Sequence, residues 1–267
     1  MAAGTPIARP LGVPWIHGSP SAKHNTDPDI QAHAYDEHTV ILRQNKAVNY
    51  EAPFLFLLFG AERAVLIDTG ATAEAEYFPL RATVDNLMAN WLARNPRDDY
   101  RLFADRPATT LIGAELPAAW PYFGFDRDAE TIARVDLGGG RVLECLATPG
   151  HHEAAVTYYD PWTGFLLTGD TVYPGRLYIN DWPAFSRTVE RLITFADSRP
   201  VTHVLGCHIE MTRTPGVDYQ IRTTYQPDEP PLQLTVDHLH RIRAAVTELG
   251  DRPRRYPLDD LILWPSD

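Results

Sequence analysis

The stretch Leu166-Leu-Thr-Gly-Asp170 has the pattern of an apolar strand that ends in a carboxylate, and two further stretches end in a histidine in the same way. They are Thr148-Pro-Gly-His-His152 and Val204-Leu-Gly-Cys-His208. In the first of these, Pro and Gly favour a tight turn before the histidine. Two imidazoles and one carboxylate are ligand types that hold zinc and other first-row metals. The three strand ends therefore indicate a metal site where a sheet meets solvent.

The composition is typical of a soluble globular protein. The 267 residues, of which 44% are hydrophobic and 22% charged, suffice for one large domain or two small ones. The net charge of -11 argues against non-specific binding to nucleic acid or to an anionic membrane, but not against a small acidic substrate. No apolar run is long enough for a transmembrane helix. We expect a cytoplasmic protein, because residues 1–20 lack a signal-peptide pattern and two cysteines cannot form a disulfide framework.

Hydrophobic periodicity predicts an α/β protein with two strand-rich halves, each followed by helix. Strands are expected at 39–43, 54–59, 63–68, 141–147, 154–159, 164–168 and 201–206, and helices at 73–95, 182–198 and 234–249. Residues 1–38 have no clear period and are expected to form an extended N-terminal arm. Residues 39–267 would form a single domain, onto which the C-terminal helix and tail at 232–267 pack.

Taken singly, each candidate ligand also has a common structural role. His151 would be a hydrogen-bonded loop residue, Asp170 a turn residue or helix cap, and His203 a core histidine. Cys207 is expected to be a buried thiol and not a ligand, because adjacent residues of a strand point to opposite faces. It is the repetition at three strand ends that favours the metal site.

Four stretches, in order along the chain, carry a resemblance to a known family. They are Leu66-Ile-Asp68-Thr-Gly70, Thr148-Pro-Gly-His151, Thr168-Gly-Asp170-Thr171 and Gly206-Cys-His208. Across about residues 39–212 the chain resembles the metallo-β-lactamase fold superfamily. The resemblance implies an αββα four-layer sandwich, in which two mixed β-sheets lie face to face with helices outside and a metal centre at one edge.

The resemblance also implies roles for individual residues. His151 would bind a first metal ion, His208 a second, and Asp170 would bridge the two as the catalytic carboxylate. Asp68 would lie behind the ligands and hydrogen-bond the ligand loop. The metal would be zinc, iron or manganese. The implied reaction is hydrolysis of an ester, thioester, lactone or similar bond by a metal-bound hydroxide.

The main motif of that family, His-x-His-x-Asp-His, is missing from this sequence. None of the ten histidines lies between His38 and His151. Residues 98–110, where the motif should fall, read Asp-Asp-Tyr-Arg-Leu-Phe-Ala-Asp-Arg-Pro-Ala-Thr-Thr. Both flanks match the family pattern, as if the motif had been deleted as a block at about Leu102-Phe103.

The missing motif predicts weak or partial metal occupancy, or none. One metal ion could instead collect His151, Asp170 and His208 as a set of two histidines and one carboxylate. Asp99 or Asp105 could also act as a substitute ligand, although acidic loop residues are usually only solvated.

Two functions therefore remain open. The first is a hydrolase with an incomplete binuclear metal site, and the alternative is a non-catalytic relative that uses the same cleft for binding or assembly. Tyr173, Arg176 and Arg213 would lie near the mouth of the site, where the arginines would attract an anionic substrate. The expected partner is a small molecule, and no binding to nucleic acid or membrane is expected. Whether the chain forms a homo-oligomer stays an open question.

Overall fold

The computed structural model describes residues 6, 8–96, 110–125 and 130–266. These residues form three β-sheets and four α-helices, and the αββα fold implied by the resemblance is confirmed. Within the same ranges, none of the helices has the length and apolar character needed to cross a membrane.

The first sheet comes from the N-terminal part of the chain. Its four strands pair in chain order: β1 (Ile30–Asp36), β2 (Thr39–Gln44), β3 (Phe54–Phe59) and β4 (Ala64–Ile67). Every neighbouring pair is antiparallel, whereas the resemblance implied a mixed sheet. All six residues of β3 are apolar and buried, because alternate side chains enter the cores on the two sides of the sheet.

The second sheet is mixed and carries the three strand ends that the sequence singled out. Its strands are β5 (Ile132–Asp136), β6 (Val142–Ala147), β7 (Val156–Asp160), β8 (Phe165–Gly169), β10 (His203–Gly206) and β11 (Gln233–Leu234). They lie in the order β11-β10-β8-β7-β6-β5. Only β8 and β10 run parallel to each other, so their carboxyl ends meet at the same edge of the sheet.

Of the four helices, the first, third and fourth cover the outer faces of the two sheets, and the second packs against the apolar cluster between them. They are α1 (Leu80–Arg94), α2 (Leu116–Phe123), α3 (Trp182–Asp197) and α4 (Val236–Leu249). An apolar cluster joins α1 to the outer face of the first sheet, and a second joins α3 and α4 to the outer face of the second sheet. A third cluster fills the space between the sheets. The apolar core therefore lies between the two sheets and beneath the outer helices, as in a sandwich fold.

A small third sheet ties the C-terminal tail to the domain. Its strands lie in the order β12 (Tyr256–Pro257), β13 (Ile262–Pro265) and β9 (Arg176–Ile179). β13 pairs in parallel with β9, which follows the Asp170 loop, and α4 packs against α3. The tail therefore supports the segment next to the candidate site. The division of the chain into an arm and one domain stays a prediction.

Some local expectations differ from the structure. Residues 30–36, expected within an extended arm, form β1 because their backbone pairs with β2, and Leu11 and Trp15 before them are buried. The first helix begins at Leu80 and not at residue 73, because Pro79 occupies its N-cap position. The segment around α2 contains an internal proline, Pro121, which hid its helical character from periodicity.

Candidate metal centre

His151 lies on a turn that is held against helix α3. Gly150 has a φ of 148°, and a Cβ there would lie 2.8 Å from the Phe185 backbone, so the position favours glycine. The Gly150 carbonyl accepts hydrogen bonds from the backbone N–H groups of Asn180 and Asp181. Thr188 of α3 donates to the Pro149 carbonyl at 2.7 Å. These contacts of Pro149 and Gly150 fix the turn that positions His151.

Asp170 follows β8 at a second fixed turn. The Thr168 hydroxyl contacts two backbone carbonyls, those of Val172 at 2.5 Å and Leu205 at 3.2 Å. These contacts connect the end of β8 to its parallel neighbour β10 and to the loop that returns from the site. Gly169 has a φ of 54°, which turns the chain so that the next side chain leaves the strand.

His208 follows β10 and is held from the first sheet. The Cys207 carbonyl accepts from the Phe54 backbone N–H at 2.8 Å, which connects the end of β10 to β3. The Nδ1 atom of His208 lies 2.9 Å from the Glu51 carbonyl oxygen, 157 residues away in sequence. Both sheets therefore contribute to the position of this imidazole.

The two histidines present the same ring atom to the carboxylate of Asp170. Nε2 of His208 lies 3.2 Å from Oδ1 of Asp170, and Nε2 of His151 lies 3.6 Å from Oδ2. Two ligand atoms that each lie about 2.1 Å from one tetrahedral ion are about 3.4 Å apart. The carboxylate thus faces one histidine with each oxygen, as a bridging ligand would.

The hydrogen bonds of Nδ1 determine the tautomer of both rings. Nδ1 of His151 lies 2.8 Å from the Tyr178 carbonyl, just as Nδ1 of His208 faces the Glu51 carbonyl. A carbonyl oxygen can only accept, so each Nδ1 carries the proton and the neutral ring has its lone pair on Nε2. That lone pair points at a carboxylate, a repulsive arrangement unless a proton or a metal ion lies between them.

Cys207 lies in the site, and the expectation that its thiol points away from the histidine side was wrong. Its Sγ lies 2.7 Å from Oδ1 of Asp170, and donor atoms of Asp170, Cys207 and His208 all lie within 4.8 Å of one another. The alternation of side chains holds only inside a strand, and β10 ends at Gly206. The thiol is buried, as expected, but it adds a third donor atom to this half of the site.

The electrostatics of the cluster couple the charges of Asp170 and His208. Burial alone would raise the pKa of Asp170, but the charge and hydrogen bond of His208, together with the Cys207 thiol, hold it well below its usual range. Burial opposes the charged form of His208, yet the charge and the hydrogen bond of Asp170 raise its pKa well above the usual value. Burial raises the pKa of the Cys207 thiol to about 12, so the thiol donates to Asp170.

The cluster opens into a cavity of about 330 Å³. Its lining includes His151, Asp170 and His208, together with the aromatic and polar side chains of Tyr50, Tyr173, Tyr178, Glu210, Thr223 and Gln226. The Asp170 side chain is 37% exposed, so solvent and small molecules reach the site. The volume lies in the range that holds small organic ligands.

Arg176 lines the cavity, but its guanidinium is already paired, which opposes the expected role in attracting an anion. It lies 2.7 Å from Glu210 and 3.0 Å from Asp218, and it donates to the Tyr219 carbonyl at 2.7 Å. Two carboxylates thus neutralise one guanidinium. Arg176 holds the cavity wall, and its use as a substrate contact stays a prediction without support from these contacts.

The other predicted residues fall in different places. Tyr173 lines the cavity, where its ring packs edge-on against His208 at 5.6 Å. Arg213 is exposed, lies 3.7 Å from Asp228 and is not among the described residues that line the cavity. Asp68 follows β4 with a φ of 73° and accepts a hydrogen bond from the Gly70 backbone N–H. These three assignments stay predictions.

The segment in which the histidine motif is missing lies outside the described residues, as do Asp99 and Asp105. Of the described residues, Cys207 and Lys46 line or form the site although the sequence argument did not select them. The signal for Cys207 was its position just past a strand end. Lys46 carried no local signal, because the contacts that bring it to the cavity come from residues far away in sequence.

A family model and several solved structures are similar to this chain. A family model described as the metallo-beta-lactamase superfamily matches residues 103–249, more than half of the chain. The metallo-beta-lactamase from Pontibacter korlensis has 15% identity and a TM-score of 0.47, over 82% of this chain and 99% of that one. The metallo-beta-lactamase from Erythrobacter litoralis has 14% identity and a TM-score of 0.49, over 84% and 99%. No curated protein matches the chain significantly.

Proposed function

The chain belongs to the metallo-beta-lactamase superfamily, and on that premise we propose that it is a metal-dependent hydrolase with a reduced ligand set. His151, Asp170 and His208 would hold a divalent ion, with the Cys207 thiol as a further donor on the His208 side. The substrate would be a small molecule with an ester, thioester, lactone or similar bond.

One observation carries this proposal. The Nδ1 atoms of His151 and His208 face backbone carbonyls, so both Nε2 atoms are directed at the carboxylate of Asp170. Such carbonyl contacts are the usual way in which proteins orient a histidine ligand and increase its basicity. A divalent cation would take the place of the Nε2 proton of His208 and attract both imidazole nitrogens and the carboxylate.

The donor set suits zinc, iron or manganese. A divalent ion would act there as a Lewis acid and activate water for attack on a carbonyl group. The protein's own residues would position the ion and the substrate. The Asp170 carboxylate would face both histidines, whose orientation the carbonyl contacts maintain. Tyr173 and Tyr178 would limit the space around the scissile bond. Which acyl compound is cleaved does not follow from the fold.

A second function is favoured by one feature of the sequence. No histidine occurs between His38 and His151, so the half of the site that the motif would supply has no imidazole from that segment. A member of the superfamily with only this reduced set of ligands could bind a small molecule or a partner in the cavity without catalysing a reaction. It would then keep the fold and the cavity and lose turnover.

Hydrolysis assays separate the two functions. Aryl ester, thioester and lactone substrates are tested with the wild-type chain loaded with zinc, iron or manganese, beside Asp170→Asn and His152→Ala. His152 is the matched control, because it is exposed and neighbours His151. A hydrolase loses turnover in Asp170→Asn and keeps it in His152→Ala. Turnover that is equal in all three proteins, or undetectable in the wild type with metal bound, rejects the hydrolase and leaves the binding protein.

A further inference from the structure

Among the described residues that line the cavity, four carry a hydroxyl group, and only one of these groups keeps its proton free. The four are Tyr50, Tyr173, Tyr178 and Thr223. The hydroxyls of Tyr50, Tyr173 and Thr223 donate to acceptors of the protein. The Tyr178 hydroxyl accepts a hydrogen bond instead, and within the described part of the chain no group accepts its proton.

The side chain of Arg176 fixes the Tyr178 hydroxyl in place. Nε of Arg176 donates to the Tyr178 oxygen at 2.9 Å, and a guanidinium can only donate. The two side chains lie on the same face of β9, because they are two residues apart in the strand. The guanidinium is held in turn by Glu210 and Asp218. A phenol that accepts one hydrogen bond still has its own proton to donate, so the cavity contains an oriented donor.

The backbone of Tyr178 ties this donor to the candidate metal centre. Its carbonyl oxygen lies 2.8 Å from Nδ1 of His151. One residue therefore orients a proposed metal ligand through its backbone and lines the cavity with its side chain. Because both ends of Tyr178 are held, little reorganisation is needed when an oxygen atom of a ligand arrives.

We propose that the Tyr178 hydroxyl donates a hydrogen bond to the carbonyl oxygen of the acyl substrate, and that Arg176 positions this hydroxyl. Negative charge develops on that oxygen when water adds to the carbonyl carbon, so the hydrogen bond becomes stronger in the transition state. Arg176 thereby acts on the substrate through Tyr178 and not by direct contact. The inference rests on the proposed function, because it assigns a role within that reaction.

Hydrolysis of 4-nitrophenyl acetate by the zinc-loaded chain tests the role of Tyr178. The wild type is compared with Tyr178→Phe and Tyr256→Phe. Tyr256 is the matched control, because it lies in the same small sheet, its hydroxyl donates to Glu248, and it is not among the described residues that line the cavity. We expect Tyr178→Phe to lower kcat about 100-fold with KM within about threefold, and Tyr256→Phe to leave both unchanged. Zinc affinity should be equal in all three proteins, since the contact with His151 comes from the backbone of Tyr178.

A double-mutant cycle tests the positioning role of Arg176. Arg176→Lys should lower kcat by itself, and its combination with Tyr178→Phe should lose no more than Tyr178→Phe alone, because Arg176 acts through Tyr178. Losses that add would show that Arg176 acts independently and would overturn its assignment. If Arg176→Lys does not fold, the same cycle with Arg176→Gln decides.

Methylphosphonate gives a measurement that does not depend on turnover, because its tetrahedral oxygens imitate the adduct of water and an ester. By calorimetry it should bind to zinc-loaded Tyr178→Phe at least about tenfold more weakly than to the wild type or to Tyr256→Phe. In an active chain, unchanged kcat or lost zinc affinity in Tyr178→Phe overturns the inference and leaves the proposed function standing. An inactive chain whose affinity for methylphosphonate depends on Tyr178 rejects the proposed hydrolase and keeps the hydrogen-bond donor. A chain that neither cleaves the ester nor binds methylphosphonate rejects both.

Discussion

At the scale of single residues, Lys46 makes the stability of the protein depend on pH. Burial, together with the charge of Arg43, lowers its pKa to about 8 from 10.5, against the opposing charges of Glu229 and Glu210 and with Arg176 nearby. Between these two values the unfolded chain holds a proton that the folded chain has released. Stability therefore rises with pH across this window, by on the order of 3 kcal/mol, and the full cost of the buried charge is present below pH 8.

We therefore expect Lys46→Met to raise the free energy of unfolding at pH 7, by about 1–3 kcal/mol, and to remove the rise in stability between pH 8 and 10.5. Urea unfolding at a series of pH values measures both effects, and the difference between the two proteins isolates Lys46. Arg43→Met is the contrast. It leaves Glu229 buried without its bidentate partner and should lower stability by about 3–5 kcal/mol. If Lys46→Met were as destabilising as Arg43→Met, Lys46 would be a structural cation.

At the scale of elements, the turns after β6, β8 and β10 decide the geometry of the site. The His151 turn depends on the close approach of Gly150 to Phe185 in α3. Gly150→Ala should push the turn away from the helix, lower stability by about 1–3 kcal/mol and weaken zinc binding as well. Gly12→Ala is the control, since a Cβ there meets no atom within 4 Å.

Thermal unfolding and zinc calorimetry test this prediction. A Gly150→Ala protein that unfolds and binds zinc as Gly12→Ala does would show that the turn has room to move.

The elements also show what the sequence could and could not predict. Strand ends at His151, Asp170 and His208 were visible in the sequence because an apolar run followed by a turn and a polar residue is a local pattern. The contact of His208 with the Glu51 carbonyl spans 157 residues and leaves no local pattern. The pair of Arg43 and Glu229 spans 186 residues and was missed for the same reason.

At the scale of the whole molecule, Arg141 joins the two sheets of the sandwich. It is fully buried and donates to the His38 and Phe59 carbonyls at 2.7 and 2.8 Å. It also pairs with Asp160 at 2.6 Å. The fold could be predicted without this residue, because layers of apolar strands and helices specify the sandwich. Which polar side chain connects the two sheets depends on the tertiary packing, so the role of Arg141 could not be predicted from the sequence.

Arg141→Met should lower the free energy of unfolding by about 3–5 kcal/mol, because it leaves the buried side chain of Asp160 without its guanidinium partner and removes the hydrogen bonds from Arg141 to the His38 and Phe59 carbonyls. Arg134→Met, at a side chain that is 71% exposed, should change it by less than about 0.5 kcal/mol. Urea unfolding of both variants measures the difference. Equal effects would mean that the sheets are held together by apolar packing alone.

At one edge of the sandwich, we propose, His151, Asp170 and His208 hold a metal ion. Calorimetric titration of the metal-free chain with zinc tests it most directly, with Asp170→Asn and His152→Ala as the loss and control variants. We predict one zinc ion per chain in the wild type and in His152→Ala, and affinity at least about 100-fold weaker in Asp170→Asn. A wild-type chain that takes up no zinc, and whose thermal unfolding is the same with and without a chelator, would contradict the claim.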